Sequence, residues 1–178
     1  WRKYAYDLHT AGEIIPGDPN SGTFDIAAVS IEENGNRTPV PYVIPPGIEQ
    51  ETNIGSTTLQ RLNEQSLSLK VCDLEDGDAR AAFKNLELDL RSYKKVKMFI
   101  HAESSGVADD LKDNDLSVFV RVGNDFTENY YEYEVPLKIT KWGSTDAYSI
   151  WPESNNLELD LDKFVNLKLE RKKILSLS

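Results

Sequence analysis

Residues 116–137 read LSVFVRVGNDFTENYYEYEVPL, and this stretch decides the fold. Leu116–Val122 is dense in β-branched residues and reads as a strand. Gly123-Asn124-Asp125 follows as a turn, because glycine and asparagine accept backbone angles that other residues avoid. Tyr130–Leu137 then places β-formers on both of its faces and reads as the next strand.

Working outward, the same grammar repeats. Phe24–Ile31 reads as a strand closed by the turn residues Glu33-Asn34-Gly35-Asn36. Leu67, Leu69 and Val71 alternate with Ser66, Ser68 and Lys70, the pattern of a half-buried strand. Leu86, Leu88 and Leu90 alternate with Glu87, Asp89 and Arg91. Val96–Ala102 is a more fully apolar run, and Leu157–Leu161 is a short alternating one. Turn signals at Asp76-Gly77-Asp78, Gly106, Asp113-Asn114-Asp115 and Trp142-Gly143-Ser144 separate these runs. One helix is expected at the end, capped by Asp160 or Asp162, with Phe164, Leu167 and Ile174 as a weak apolar stripe. Arg171, Lys172 and Lys173 suit its C-terminal dipole. The expected class is mainly β, an antiparallel β-sandwich of jelly-roll type with one short C-terminal helix.

Residues 1–58 carry most of the prolines and read as an irregular arm with one strand, packed on the sandwich of residues 59–178. Pro39, Pro41, Pro45 and Pro46 bar the stretch 38–46 from a central strand, since proline has no ladder donor. The two parts together are expected to form one domain. The chain opens on Trp1 and reads as a segment of a larger protein.

The chain has 178 residues and a net charge of −10, with a pI near 4.7. That charge speaks against nucleic acid and against an anionic membrane face. It leaves a basic partner or a divalent cation open. The single cysteine, Cys72, excludes an intrachain disulfide; among Asp73, Glu75 and Asp76 it lacks the electropositive setting of a nucleophile.

Motifs for chemistry are missing. His9 and His101 have no zinc-ligand spacing, and His101 reads as a hydrogen-bonded structural residue. There is no nucleophile elbow, phosphate loop or dinucleotide fingerprint. Asp73–Asp78 departs from the EF-hand spacing and is explained by a tight turn; the aspartates at 109, 110, 113 and 115 read as a solvated loop. Glu132 and Glu134 share one strand face without a matched acid–base geometry. The expectation is therefore no enzyme, no cofactor and no metal. The aromatic cluster is more informative. Tyr131, Tyr133, Trp142 and Trp151, with Tyr130 nearby, are the candidate binding residues if they share an exposed face.

Several phrases carry a family likeness. They are Pro45–Glu49, Asn63–Leu67, Val71–Leu74, Asp76–Ala82, Arg91–Glu103, Val120–Leu137 and Trp151-Pro152-Glu153. Across roughly Pro45 to Arg171 the chain resembles the SprA (Sov) family, giant outer-membrane translocons of type IX secretion and gliding motility in Bacteroidetes. The resemblance implies a parent β-barrel that passes folded cargo. It implies that this segment is a soluble domain inserted in that barrel, at the extracellular face or in the periplasm. It supplies no catalytic residue. Partners would be other parts of the translocon, secretion subunits or cargo. The function expected is pore capping, gating or such contacts. The alternative is a carbohydrate-binding jelly roll built on the aromatic cluster.

Overall fold

The computed structural model describes residues 2–10, 13–15, 23–50, 52–53, 60–61, 63–85, 93–106, 110–125 and 128–176. The chain divides into two compact units, Trp1–Leu86 and Glu87–Ser178.

The first unit holds β1 (Arg2–Thr10), β2 (Glu13–Ile15), β3 (Thr23–Ser30), α1 (Ile31–Asn34), β4 (Thr52–Asn53), β5 (Gln60–Arg61), β6 (Gln65–Cys72) and β7 (Asp78–Phe83). All its pairings are antiparallel: β2-β1-β7 form one sheet, β3 pairs β6, and β4 pairs β5. The β6–β7 connection closes when Asp78 N–H donates to the Glu75 carbonyl at 3.0 Å. Gly77 sits at φ +85° in that turn, a conformation that costs a side-chain-bearing residue steric strain. The acidic run Asp73–Asp78 is thus turn chemistry.

Ser30 starts α1 by accepting from Glu33 N–H, and Asn34 Oδ1 accepts from Ser30 N–H at 2.9 Å. The chain then runs as an extended arm without strand over 37–50, as its prolines require. Arg37 Nε donates to the Val40 carbonyl at 2.9 Å, and Val40 and Tyr42 are buried. The Tyr42 hydroxyl bonds Ser66 Oγ at 2.8 Å. Burial pushes the Tyr42 phenol above its ordinary range, against the opposing pull of the Ser66 hydrogen bond.

This bond reverses an expectation. Ser66 and Ser68 of β6 are half-buried, while Leu67, Leu69 and Val71 stand 40%, 45% and 36% exposed. The strand is amphipathic as expected, but here its serine side is the more covered one, with Tyr42 of the arm bonded to Ser66. Cys72 is half-buried.

The second unit holds β8 (Lys95–Met98), β9 (Ser117–Gly123), β10 (Tyr130–Pro136), α2 (Ala147–Ile150), a 3-10 turn at Glu153–Asn155, β11 (Leu157–Asp160) and α3 (Asp162–Ser176). β9 and β10 pair antiparallel from Tyr130↔Gly123 to Pro136↔Ser117. At the tight end a Cβ on Gly123 would overlap the Asn129 carbonyl oxygen and the Tyr130 Cα. β11 pairs β8, with Leu157↔Met98 and Leu159↔Val96.

The alternation of these ladders builds the core. Val135, Leu157 and Leu159 are buried, and Val96, Ile100, Val118, Val120, Tyr133 and Phe164 pack against them. The opposite face of β9–β10 mixes Arg121, Glu132 and Glu134 with the Phe119 and Tyr130 rings. Arg121 Nε donates to Glu132 at 2.9 Å, and its guanidinium lies 3.9 Å from the Tyr130 ring centroid. Beyond β10 the chain is held by a side-chain amide. Fully buried Asn155 accepts from Lys138 N–H and donates to the Lys138 carbonyl, both at 2.8 Å. It supplies the pairing that a neighbouring strand would give.

The mainly β class, the antiparallel pairing and the C-terminal helix match the expectation. Among the described residues the ladders hold two or three strands each, and no strand pairing joins them into two stacked sheets. The run 96–102 is shorter as a strand than expected, since β8 ends at Met98. The strand expected at 86–91 lies outside the described residues. Among them, no helix is long and apolar enough to cross a membrane.

Candidate functional site

The four aromatic candidates all fall in the second unit, and the structure does not gather them on one exposed face. Tyr131 and Tyr133 lie on the apolar side of β10, with Val135. Tyr131 stacks on Phe164 of α3, ring centroids 4.6 Å apart, and Tyr133 packs on the core. Trp151 is 7% exposed. Tyr130 sits under the Arg121 guanidinium on the polar side. Trp142 alone among the four is exposed, at 39%. Its indole Nε1–H donates to the Ser104 carbonyl at 3.3 Å.

Trp142 forms one wall of an open groove of ≈ 490 Å³, shared with Ser104, Lys112, Asp113, Thr140 and Lys141. Two aspartates of the 109–115 loop are already used by backbone. Asp113 Oδ1 accepts from Ile139 N–H at 2.9 Å, and Asp115 Oδ2 accepts from Lys112 N–H at 2.8 Å. Asp110 pairs with Lys112 at the surface. Asp109 lies outside the described residues. Among the described residues, no three His, Cys, Asp or Glu side chains gather as a metal site.

Next to this groove, three segments converge on His101. Its Nδ1 lies 2.9 Å from the Ile150 carbonyl and 3.1 Å from Thr140 Oγ1. Thr140 N–H donates to the Ala102 carbonyl at 2.7 Å, tying the first two segments together. The ring meets Trp151 edge-on, centroids 5.8 Å apart at 63°. Its other nitrogen, Nε2, faces Glu103 Oε2 at 3.4 Å. This arrangement bears out the reading of His101 as hydrogen-bonded. The roles of Glu103 and Thr140 were not read from the sequence. The available signal was the spacing His101-x-Glu103, which puts two side chains on one side of an extended backbone.

The first unit offers a different kind of surface, the exposed apolar row Leu67, Leu69 and Val71 on β6. Across the ladder Leu67 pairs Ala28, Leu69 pairs Ile26 and Val71 pairs Phe24, with Phe24 itself buried and the Ser30–Gln65 pair at the end of the same face.

A protein-family model described as a motility related/secretion protein matches residues 1–177. No curated protein matches the chain.

Proposed function

The chain belongs to the SprA_N family of motility-related and secretion proteins, and from that membership we propose a non-catalytic role in an outer-membrane translocon of type IX secretion. In this reading the chain contributes contacts, to the translocon body, to partner subunits or to cargo, and through them caps or gates the pore. One structural observation carries the reading. On β6, Leu67, Leu69 and Val71 are exposed in a row, beside Phe24 of β3, which shares their face and is buried. An apolar row of this kind is unfavourable in water and is favourable once covered by another protein surface. The segment would act at the extracellular face or in the periplasm.

The carbohydrate-binding alternative draws no support from the geometry. It needs a shared aromatic platform, and Trp151, Tyr131 and Tyr133 are engaged in packing.

The test is made in the parent protein. Replacing Leu67, Leu69 and Val71 together by serine should leave the parent in the outer membrane at normal abundance and stop cargo export. Normal export with this triple variant would refute the contact surface. Normal export after deletion of residues 1–178 would refute the secretion role itself.

A further inference from the structure

The terminal helix α3 leaves the body of the second unit almost at once. Between Asp162 and Ile174 only Phe164 is half-buried, stacked on Tyr131 with ring centroids 4.6 Å apart; the other side chains of that stretch are exposed. Residues 165–174 amount to about 15 Å of helix. A helix this short gains little from its own hydrogen bonds and draws its stability from packing on an apolar side.

Such a side is present. Phe164, Leu167, Arg171 and Ile174 recur in steps of three and four residues, the a and d positions of a heptad. They line one side of the helix, and the cover given by the unit ends at the first of them. Leu167 is 51% exposed and Ile174 69%. Val165 and Leu169 are exposed too, but they lie one turn apart on the opposite side. The apolar residues therefore do not form the single wide face of a helix that lies on a membrane.

Charge narrows the occupant further. α3 carries Lys163, Lys168, Arg171, Lys172 and Lys173 against Asp162 and Glu170, a net +3 in a chain of net −10. A second copy would set this basic helix against itself. An anionic membrane would repel the acidic remainder of the chain. Arg171 stands inside the seam, and covering it requires a carboxylate opposite. We propose that α3 docks through the seam of Leu167, Arg171 and Ile174 on an acidic partner helix, one whose own apolar seam is flanked by glutamate or aspartate. This surface is separate from the β6 row of the first unit and does not depend on that row's role.

The probe is a synthetic peptide of about three heptads, with leucine at its a and d positions and glutamate at its e and g positions. It is titrated into the 178-residue chain and followed by backbone amide NMR. Saturable shifts should centre on Leu167, Arg171 and Ile174. Replacing Leu167 and Ile174 together by serine should weaken binding on the order of tenfold or more. Replacing Val165 and Leu169 together by serine should leave it unchanged. The same peptide with lysine in place of glutamate should not bind, and this comparison on the wild type decides the matter if a variant fails to fold. Equal binding of the two peptides overturns the proposal, as do shifts centred on Val165 and Leu169 or no shifts at all. Shifts at Leu167 and Ile174 produced instead by phosphatidylglycerol vesicles assign the seam to a membrane, and shifts produced by raising the chain's own concentration assign it to a second copy; either overturns the acidic helix.

Discussion

The β3–β6 ladder and the β9–β10 ladder obey the same alternation and use it in opposite ways. In β9–β10 the apolar side, Val118, Val120, Tyr133 and Val135, packs on Leu157 and Leu159. In β3–β6 the apolar side carries Leu67, Leu69 and Val71 at the surface, while Ser66 on the other side bonds the arm through Tyr42. Period-two patterning states that a strand has an apolar face. It does not state whether that face is covered within this chain. A row left open is where a further surface belongs, and that is why the first unit carries the functional proposal.

The sharpest way to break the comparison is to make one substitution in both places. Leu157 is fully buried, and Leu157→Ala should cost about 3 kcal/mol of the second unit's stability in urea unfolding. Leu69 is 45% exposed, and Leu69→Ala should change stability by about 0.5 kcal/mol or less. Equal losses at the two sites would mean that the β6 face is covered within the chain, and the contact proposal would fall with it.

Next in size is Asn155. Its amide makes two hydrogen bonds to the Lys138 backbone from a fully buried position. Asn155→Ala leaves both backbone groups unpaired and should cost about 2 kcal/mol. Amide exchange at Lys138 should accelerate in step. Unchanged exchange there would show that the amide does not hold this segment.

Arg121 tests the polar side of β9–β10, where the ladder faces away from the core. It bonds Glu132 across the strands and covers the Tyr130 ring. Arg121→Met keeps the stem and removes the charge, and should cost about 1 kcal/mol in the same assay. A neutral result would assign the guanidinium no role beyond its apolar stem.

The sequence made some of this legible and left the rest hidden for physical reasons. Strands rich in valine, tyrosine and leucine, β9, β10 and β11, announced themselves, as did the terminal helix. β7, Asp78–Phe83, did not, because Ala79, Ala81 and Ala82 have low strand propensity and owe their state to pairing with β1. The arm was legible through its prolines. The aromatic residues were the least legible, since Trp142 and Trp151 are alike in sequence and differ only in what the fold lays over them. The His101–Glu103 contact was visible as a spacing. The Ile150 carbonyl that the ring also meets lies 49 residues away and was not legible from that spacing.

The smallest effect lies beside the largest, at Glu158, the residue after Leu157 and on the other face of β11. Lys95 reaches Glu158 at 2.5 Å and Asp160 at 3.5 Å, and Lys97 reaches Glu158 at 3.2 Å. The Lys95 hydrogen bond, joined by that of Lys97, holds the Glu158 carboxyl below the usual range, and the same bond raises Lys95. A lowered carboxyl adds stability above its unfolded value and loses it as the pH falls through the folded one, so this contribution fades below about pH 4. The raised lysine contributes at lower pH and loses its part only as pH climbs past the ordinary lysine range. Both groups are fully in water, where long side chains and salt leave little net gain. Glu158→Gln should therefore barely move the urea midpoint at pH 7. The small difference from wild type should vanish at pH 3 and in 1 M salt, where screening acts within about 3 Å. A loss at Glu158 as large as that at Leu157 would show that the charged face of β11 is covered as well, and would remove the contrast between faces on which the contact proposal rests.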